Sequence, residues 1–289
     1  MRTATRGLYT ENIHSAIEFV ENSYHRDIQL TEIAEQACLS KYHFHRIFKS
    51  LTGETVKAFL TRIRLEKAAV KLKYGKEAIA SVAFSCGYQN HETFTRAFKE
   101  YFGVPPQKYR IATHDVAAQK RQDYKINRTT LSDLNVEGPM VKTIPDLHLA
   151  YIRKIGSYDT MGNILQQLLF WAAEHSVLQF QPTTLGIIHD YIDLTAEEHL
   201  RFDSCVLVKG AIKPEGEIRY KKISGGKFAV FRYQGAFEEF YPVYDYIYTV
   251  CLFENQFELD DKPLLEWYIQ SPVAYKPSDY LTDFYIAIK

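Results

Sequence analysis

The feature that most constrains this chain is a repeat near its start. Lys41-Tyr42-His43-Phe44-His45-Arg46-Ile47-Phe48-Lys49 superposes on His91-Glu92-Thr93-Phe94-Thr95-Arg96-Ala97-Phe98-Lys99 at a shift of 50. The same shift brings Arg46 onto Arg96, Lys49 onto Lys99 and Gly53 onto Gly103. At about 100° per residue, Phe44, Ile47, Phe48 and Leu51 share one side of a helix, and Tyr42, His45, Arg46 and Lys49 share the other. The second copy sorts the same way: Phe94, Ala97, Phe98 and Tyr101 stand against Glu92, Thr95, Arg96 and Lys99. One amphipathic stripe describes any surface helix. A register kept twice on both faces predicts one face to bury and one to present.

Each copy is preceded by a second short helix. Leu30-Thr31-Glu32-Ile33-Ala34-Glu35-Gln36-Ala37 reads as a helix capped by Thr31, followed by the turn Cys38-Leu39-Ser40, with Ser40 capping the next helix. In the second copy Ile79 to Phe84 is the first helix and Cys86-Gly87-Tyr88-Gln89-Asn90 the turn. Ala34 and Ala83 are small where the two helices must approach, and Gly87 supplies the left-handed backbone of a tight turn. Asn12–Asn22 is predicted as an opening helix. Val56 to Tyr74 is predicted as a long one without Gly or Pro, close to 28 Å at about 1.5 Å per residue.

Residues from about Asn12 to Arg110 resemble the DNA-binding domain of AraC/XylS-family transcription regulators. The resemblance rests on Ala83, Cys86, Gly87, Tyr88, Phe94, Arg96, Ala97, Phe98, Lys99, Phe102, Gly103, Pro106, Tyr109 and Arg110 at that family's spacing. It implies two helix-turn-helix units whose second helices enter DNA. The long helix suits a spacer holding them about one duplex turn, roughly 34 Å, apart, so that one chain reads two successive major grooves. Arg46 and Arg96 are then the candidates for bidentate guanine contacts. His45, His91, Glu92 and Thr95 face base edges, Asn90 is a further DNA-binding candidate, Lys41, Lys49 and Lys99 hold phosphates, and Tyr42 packs on thymine methyls or sugars.

Charge supports the division. Residues 1–111 carry 17 Lys and Arg against 11 Asp and Glu, whereas residues 138–289 carry 14 against 20. A whole-chain net charge of zero therefore conceals a basic module suited to a polyanion and an acidic one repelled by it. The four cysteines form no C-x-x-C pair, and the histidines show no metal spacing, so neither a disulfide framework, a metal nor a cofactor is expected. With no secretory segment and no run of 18 apolar residues, the expected location is cytoplasmic, away from the membrane.

The stretch 112–137 mixes charges of both signs without apolar periodicity and is read as the connection to a second domain, 138–289. That domain also repeats: Ala150-Tyr151-Ile152-Arg153-Lys154-Ile155-Gly156-Ser157-Tyr158 matches Ala229-Val230-Phe231-Arg232-Tyr233-Gln234-Gly235-Ala236-Phe237 at a shift of 79. Each strand-like segment precedes a helix (Met161–His175, then Glu238–Asn255) and two more strands: Leu185–Ile192 with Ser204–Lys209, then Pro263–Ile269 with Asp283–Ile288. The expected chain is thus multidomain, an all-α N-terminal domain with two helix-turn-helix units plus an α+β domain of two β-α-β-β repeats with helices on one side of an antiparallel sheet.

The second half resembles the GyrI-like (gyrase-inhibitor-like) effector-binding domain through Leu185-Gly186-Ile187-Ile188-His189-Asp190, Phe228 to Gly235, and Pro263-Leu264-Leu265-Glu266-Trp267-Tyr268. This resemblance implies a groove holding organic ligands, often cationic and aromatic, against a buried carboxylate, here Glu266. Tyr151, Trp171, Phe231, Tyr233, Tyr244, Trp267 and Tyr268 are the candidate lining residues. Most such rings simply fill cores, but around a carboxylate they add cation–π attraction. The expectation is a DNA-binding regulator, not an enzyme, controlled by a small molecule. Its expected partners are double-stranded DNA, that effector and RNA polymerase, and two reading units permit a monomer on DNA. Two alternatives stay open for the second half: a protein-interaction module without ligand, or a small-molecule hydrolase using Glu266 with Tyr268 or Tyr233.

Overall fold

The computed structural model describes residues 3–127, 130–156, 161–178, 181–270 and 276–289, in two compact units, Met1–Ala118 and Gln119–Lys289. The first unit is helical. After α1 (Thr3–Ser23) come α2 (Leu30–Gln36) and α3 (Lys41–Thr52), the spacer α4 (Val56–Tyr74), α5 (Ile79–Ser85) and α6 (His91–Phe102), and α7 begins at Pro106. The fifty-residue repeat holds in three dimensions: α3 and α6 share the same offset at both ends, and the glycines that follow them have φ of +79° and +77°. Phe44, Phe48, Phe94 and Phe98 are fully buried, with Phe44–Phe48 and Phe94–Phe98 centroids both 5.5 Å apart. Leu51 and Tyr101, at the C-terminal ends of the two stripes, are about two-fifths exposed, at 37% and 42%.

The caps depart from the sequence reading at one place. Thr31 lies inside the first turn of α2; the cap is Gln29, whose backbone N–H donates to the Glu32 carboxylate at 2.7 Å. Glu32, at the third helical position, closes the cap by reaching back to that N–H. Ser40 does precede α3, without a side-chain hydrogen bond, and Thr55 caps α4 by accepting from Ala58 N–H. Gly87 turns at φ +80°, where a Cβ would meet the Tyr24 carbonyl and the Arg64 guanidinium, itself donating to that carbonyl at 2.8 Å. A buried ion network braces the spacer: Arg62 of α4 donates to Glu54 and Glu66, and the Tyr101 hydroxyl of α6 also donates to Glu66, at 2.9 Å.

The stretch read as the connection is largely regular. Helix α7 runs Pro106–Ile126, since nothing between Pro106 and Asn127 breaks it and Ala, Gln, Lys and Arg favour it. Strand β1 (Val136–Ile144) follows and precedes the first repeat. The repeats are β2 (Leu147–Ile155), α8 (Met161–Glu174), β3 (Thr184–Ile188) and β4 (Arg201–Leu207), then β6 (Gly226–Gln234), α9 (Phe240–Tyr246), β7 (Leu264–Gln270) and β8 (Leu281–Ala287). Between them lies β5 (Arg219–Ile223). The Ser157–Tyr158 end of the first repeat falls outside the described residues. Helix α9 is shorter than expected and continues through a π-helical turn, Ile247–Cys251, into Leu252–Glu254.

The eight strands among the described residues form one antiparallel sheet in the order β1-β6-β8-β7-β3-β4-β2-β5, so the two strands the sequence reading missed, β1 and β5, are its edges. The repeat is visible in its ion pairs. Arg153 grips Asp203 and Arg232 grips Asp283 through two N–H···O bonds each, and each aspartate also meets an edge-strand lysine, Lys221 at 2.6 Å and Lys142 at 3.8 Å. Paired residues of an antiparallel ladder face the same way. One face therefore carries Ile152, Ser204, Gly186, Glu266, Phe284 and Phe231 in a single cross-strand row, and helices α8 and α9 cover it. The opposite face buries Leu149, Leu185, Ile187, Phe228, Val230 and Leu265 among others, drawn with their packed neighbours from all eight strands.

Candidate functional sites

The outward face of α3 and α6 is the first site. Lys41, Tyr42, Arg46 and Lys49 are exposed on α3, and His91, Glu92, Arg96 and Lys99 on α6. Tyr42 is 92% exposed, with its ring turned to the outward face of α3. Among the described residues neither Arg46 nor Arg96 has a hydrogen-bond or ion-pair partner, so both guanidiniums keep all five donors available. Three predicted readers sit differently. His45 is half-buried beside Phe44. Thr95 is half-buried too, and its hydroxyl is enclosed without a partner. Asn90 is exposed, but its side-chain oxygen caps α6 by accepting from Thr93 N–H at 2.8 Å, leaving only its amide N–H groups free to reach a ligand.

The second site is centred on Glu266, in the middle of β7 and 3% exposed. Both carboxylate oxygens are taken by phenols: Tyr244 of α9 donates to Oε1, and Tyr268 donates to Oε2 at 2.7 Å. Burial raises the Glu266 carboxyl above its ordinary range, and the two phenolic hydrogen bonds pull it back only in part. Burial and the neighbouring carboxylate hold the Tyr244 phenol well above its usual value, so it stays a donor. The other buried carboxylates are arranged otherwise: Glu66 has Arg62, Asp190 has Arg201, Asp203 has Arg153 and Asp283 has Arg232. Among the described residues, Glu266 alone of the buried carboxylates has no cation.

The predicted lining separates into two groups. Tyr244 and Tyr268 touch Glu266. Tyr233 stacks on Phe284 at 5.9 Å, Phe231 pairs with Phe284 in the ladder, and the Phe284 ring lies 4.8 Å from that of Tyr244. The remaining three lie elsewhere. Trp267 alternates with Glu266 and so faces the other core, against Tyr285; Tyr151 lies on that same face beneath Lys221. Trp171 sits on α8, donating to Glu215 and stacking on His175. Strand alternation removes the first two, and Trp171 packs against the cluster of Ile152, Leu168 and Val206. The sequence reading missed Phe240 and Phe284, whose rings are 4.8 Å apart beside Tyr244, and it missed Gly186, opposite Glu266. A glycine inside a strand signals close approach by another group, and that signal was present in Leu185-Gly186-Ile187.

Paired helix-turn-helix units followed in the chain by a duplicated antiparallel sheet define a DNA-binding transcription regulator of the AraC type. Residues 33–112 match a helix-turn-helix domain and residues 138–289 match the GyrI-like small molecule binding domain. The chain belongs to the AraC-type regulators that carry a GyrI-like domain. It is similar to the multiple antibiotic resistance protein MarA of Salmonella typhimurium, 36% identical over 99 residues, which is 34% of this chain and 78% of MarA. Among solved structures, the DNA-binding domain of AdpA, a global transcriptional factor in complex with a target DNA, matches 37% of this chain and 96% of its own length at 24% identity and a TM-score of 0.36. The EcmrR–DNA complex matches 91% of this chain and 99% of its own at 13% identity and a TM-score of 0.48. Among the described residues no helix is long and apolar enough to cross a membrane.

Proposed function

We propose that this regulator reads two successive major grooves with α3 and α6, and that a lipophilic organic cation bound at Glu266 controls it. The observation carrying the second part is that Glu266, alone of the buried carboxylates among the described residues, has no guanidinium or ammonium partner. A buried anion is costly unless matched, and the phenols that hold it are neutral. A ligand ammonium would supply the missing charge and take aromatic faces as its walls. Both arginines, bare on outward helix faces, support the first part, and two readers in one chain let a monomer occupy a complete site.

Two experiments test the reading. Footprinting of the full chain should show two protected patches about 10 base pairs apart on one DNA face. Arg46→Ala should relax preference in one patch and Arg96→Ala in the other, each by about 1–3 kcal/mol; an equal loss for scrambled DNA would remove direct readout by that arginine. For the effector, hydrophobic cations should raise the melting temperature, because they bind only the folded state. Glu266→Gln should abolish most of that rise, and an unchanged rise would dismiss the charge argument.

A further inference from the structure

We infer that the ligand of the Glu266 site is an organic ammonium ion that also carries a hydrogen-bonding oxygen or nitrogen close to its cationic centre, read by the hydroxyls of Ser204 and Thr282. This rests on the reading of Glu266 as a cation site. The argument begins with the cross-strand row on the helix-covered face. Its six members are three repeat-related pairs: Phe231 corresponds to Ile152, Phe284 to Ser204 and Glu266 to Gly186. The second repeat thus places Phe, Phe and Glu in the row where the first places Ile, Ser and Gly. Duplication built a near-symmetric sheet, and these substitutions made one half of the row bulky and the other half small.

Glu266 leans into the small half. A Cβ at Gly186 would lie 3.3 Å from Glu266 Oε2 and collide with the Tyr268 hydroxyl, so both groups reach over the glycine. The next residue along the row is Ser204, which is 0% exposed and whose hydroxyl has no partner. Thr282 pairs directly with Tyr268 in the ladder, on the same face, and is likewise 0% exposed with an unpartnered hydroxyl. A buried hydroxyl without a partner reduces stability, and Ala or Val would fill these places at the same volume. Two such groups, in the rows of the carboxylate and of the phenol that holds it, are polar capacity held in reserve for a ligand. Glu266 and Ser204 are separated by two strand spacings, roughly 9–10 Å between backbones. With the carboxylate leaning over Gly186, a short amino-alcohol or amino-amide spans the gap.

The test uses the full chain and two probes of equal charge, benzyltrimethylammonium and benzyl(2-hydroxyethyl)dimethylammonium, measured by calorimetry and thermal melts. The hydroxylated probe should bind the parent protein about tenfold more tightly, the worth of one good hydrogen bond. Ser204→Ala and Thr282→Val should each reduce that preference while leaving the trimethyl probe within about twofold, and together they should abolish it. Both should raise the melting temperature of the ligand-free protein, which a merely structural hydroxyl would not do. Thr282→Ser should keep the preference. If the two substitutions weaken both probes alike, or leave the preference intact while Glu266→Gln weakens both, the hydroxyl assignment is overturned and the cation site stands. If Glu266→Gln changes neither probe, both readings fall together.

Discussion

Glu266 is a residue whose cost and use pull in opposite directions. Its carboxyl is raised by burial, so the folded state holds the proton more readily than the unfolded chain does. Such a group contributes stability that is fully present below its ordinary 4.5 and is lost as pH rises through the folded value. Glu266→Gln does not titrate. It should therefore be more stable than the parent at neutral pH, by on the order of 1 kcal/mol, with the difference shrinking as pH falls toward the ordinary carboxylate range. Melts across pH check this, and a variant less stable at pH 7 would show that the carboxylate holds the site together. Asp203 runs the other way: burial pushes it up, but Arg153, Lys221 and His189 outweigh burial and hold it well below its usual value. Its contribution is present above the ordinary carboxylate range and is lost only in strong acid.

Helix α9 places two adjacent side chains on different partners. Tyr244 meets Glu266 on the sheet, while Asp245 accepts from Lys120 Nζ at 2.5 Å and from the Tyr124 hydroxyl at 3.0 Å, both on the last turns of α7. Burial, then the Asp245 charge, pushes the Tyr124 phenol up to about 12, so it remains a donor across the physiological range. Arg121 adds a cation–π contact over Phe253 at 4.0 Å. Asp245→Ala removes both bonds at once and should cost about 1–2 kcal/mol of stability, and Tyr124→Phe should cost less. Denaturant melts of the full chain measure both, and no change in either variant would make these contacts incidental. The π-helical turn that follows α9 is the kind of local irregularity often found beside functional sites.

At the scale of the whole molecule, charge separates the tasks. The excess of Lys and Arg lies in residues 1–111 and the excess of Asp and Glu in residues 138–289, so attraction to DNA belongs to the first region even though the whole chain is neutral. Affinity should fall steeply with salt as phosphate contacts release counterions. Lys49→Ala and Lys99→Ala should each reduce the slope of log affinity against log salt by about 1 while leaving base preference unchanged. A titration from low to moderate salt reads this directly, and an unchanged slope would take that lysine off the phosphates. The cysteines take no part in this division: Cys86, Cys205 and Cys251 are buried and none of the four is in a disulfide.

The sequence alone was enough for what depends on period and local stereochemistry. The offset of 50 placed α3 and α6, the unbroken run from Val56 to Tyr74 placed the spacer, and Cys86-Gly87-Tyr88 marked the turn, because neighbours along a helix decide those features. Of the seven rings named with Glu266, Tyr244 and Tyr268 touch it and Tyr233 and Phe231 lie beside Phe284. Tertiary structure decided the rest. Whether Trp267 or Tyr268 faces Glu266 depends on strand phase, and Tyr151 was lost to the opposite core for the same reason. Edge strands β1 and β5 carry weak alternation because pairing on one side, rather than burial on both, holds them. That Glu266 meets two phenols and, among the described residues, no cation, and that Gly186, Ser204 and Thr282 share its face of the sheet, follows from residues distant in the chain becoming neighbours across that sheet.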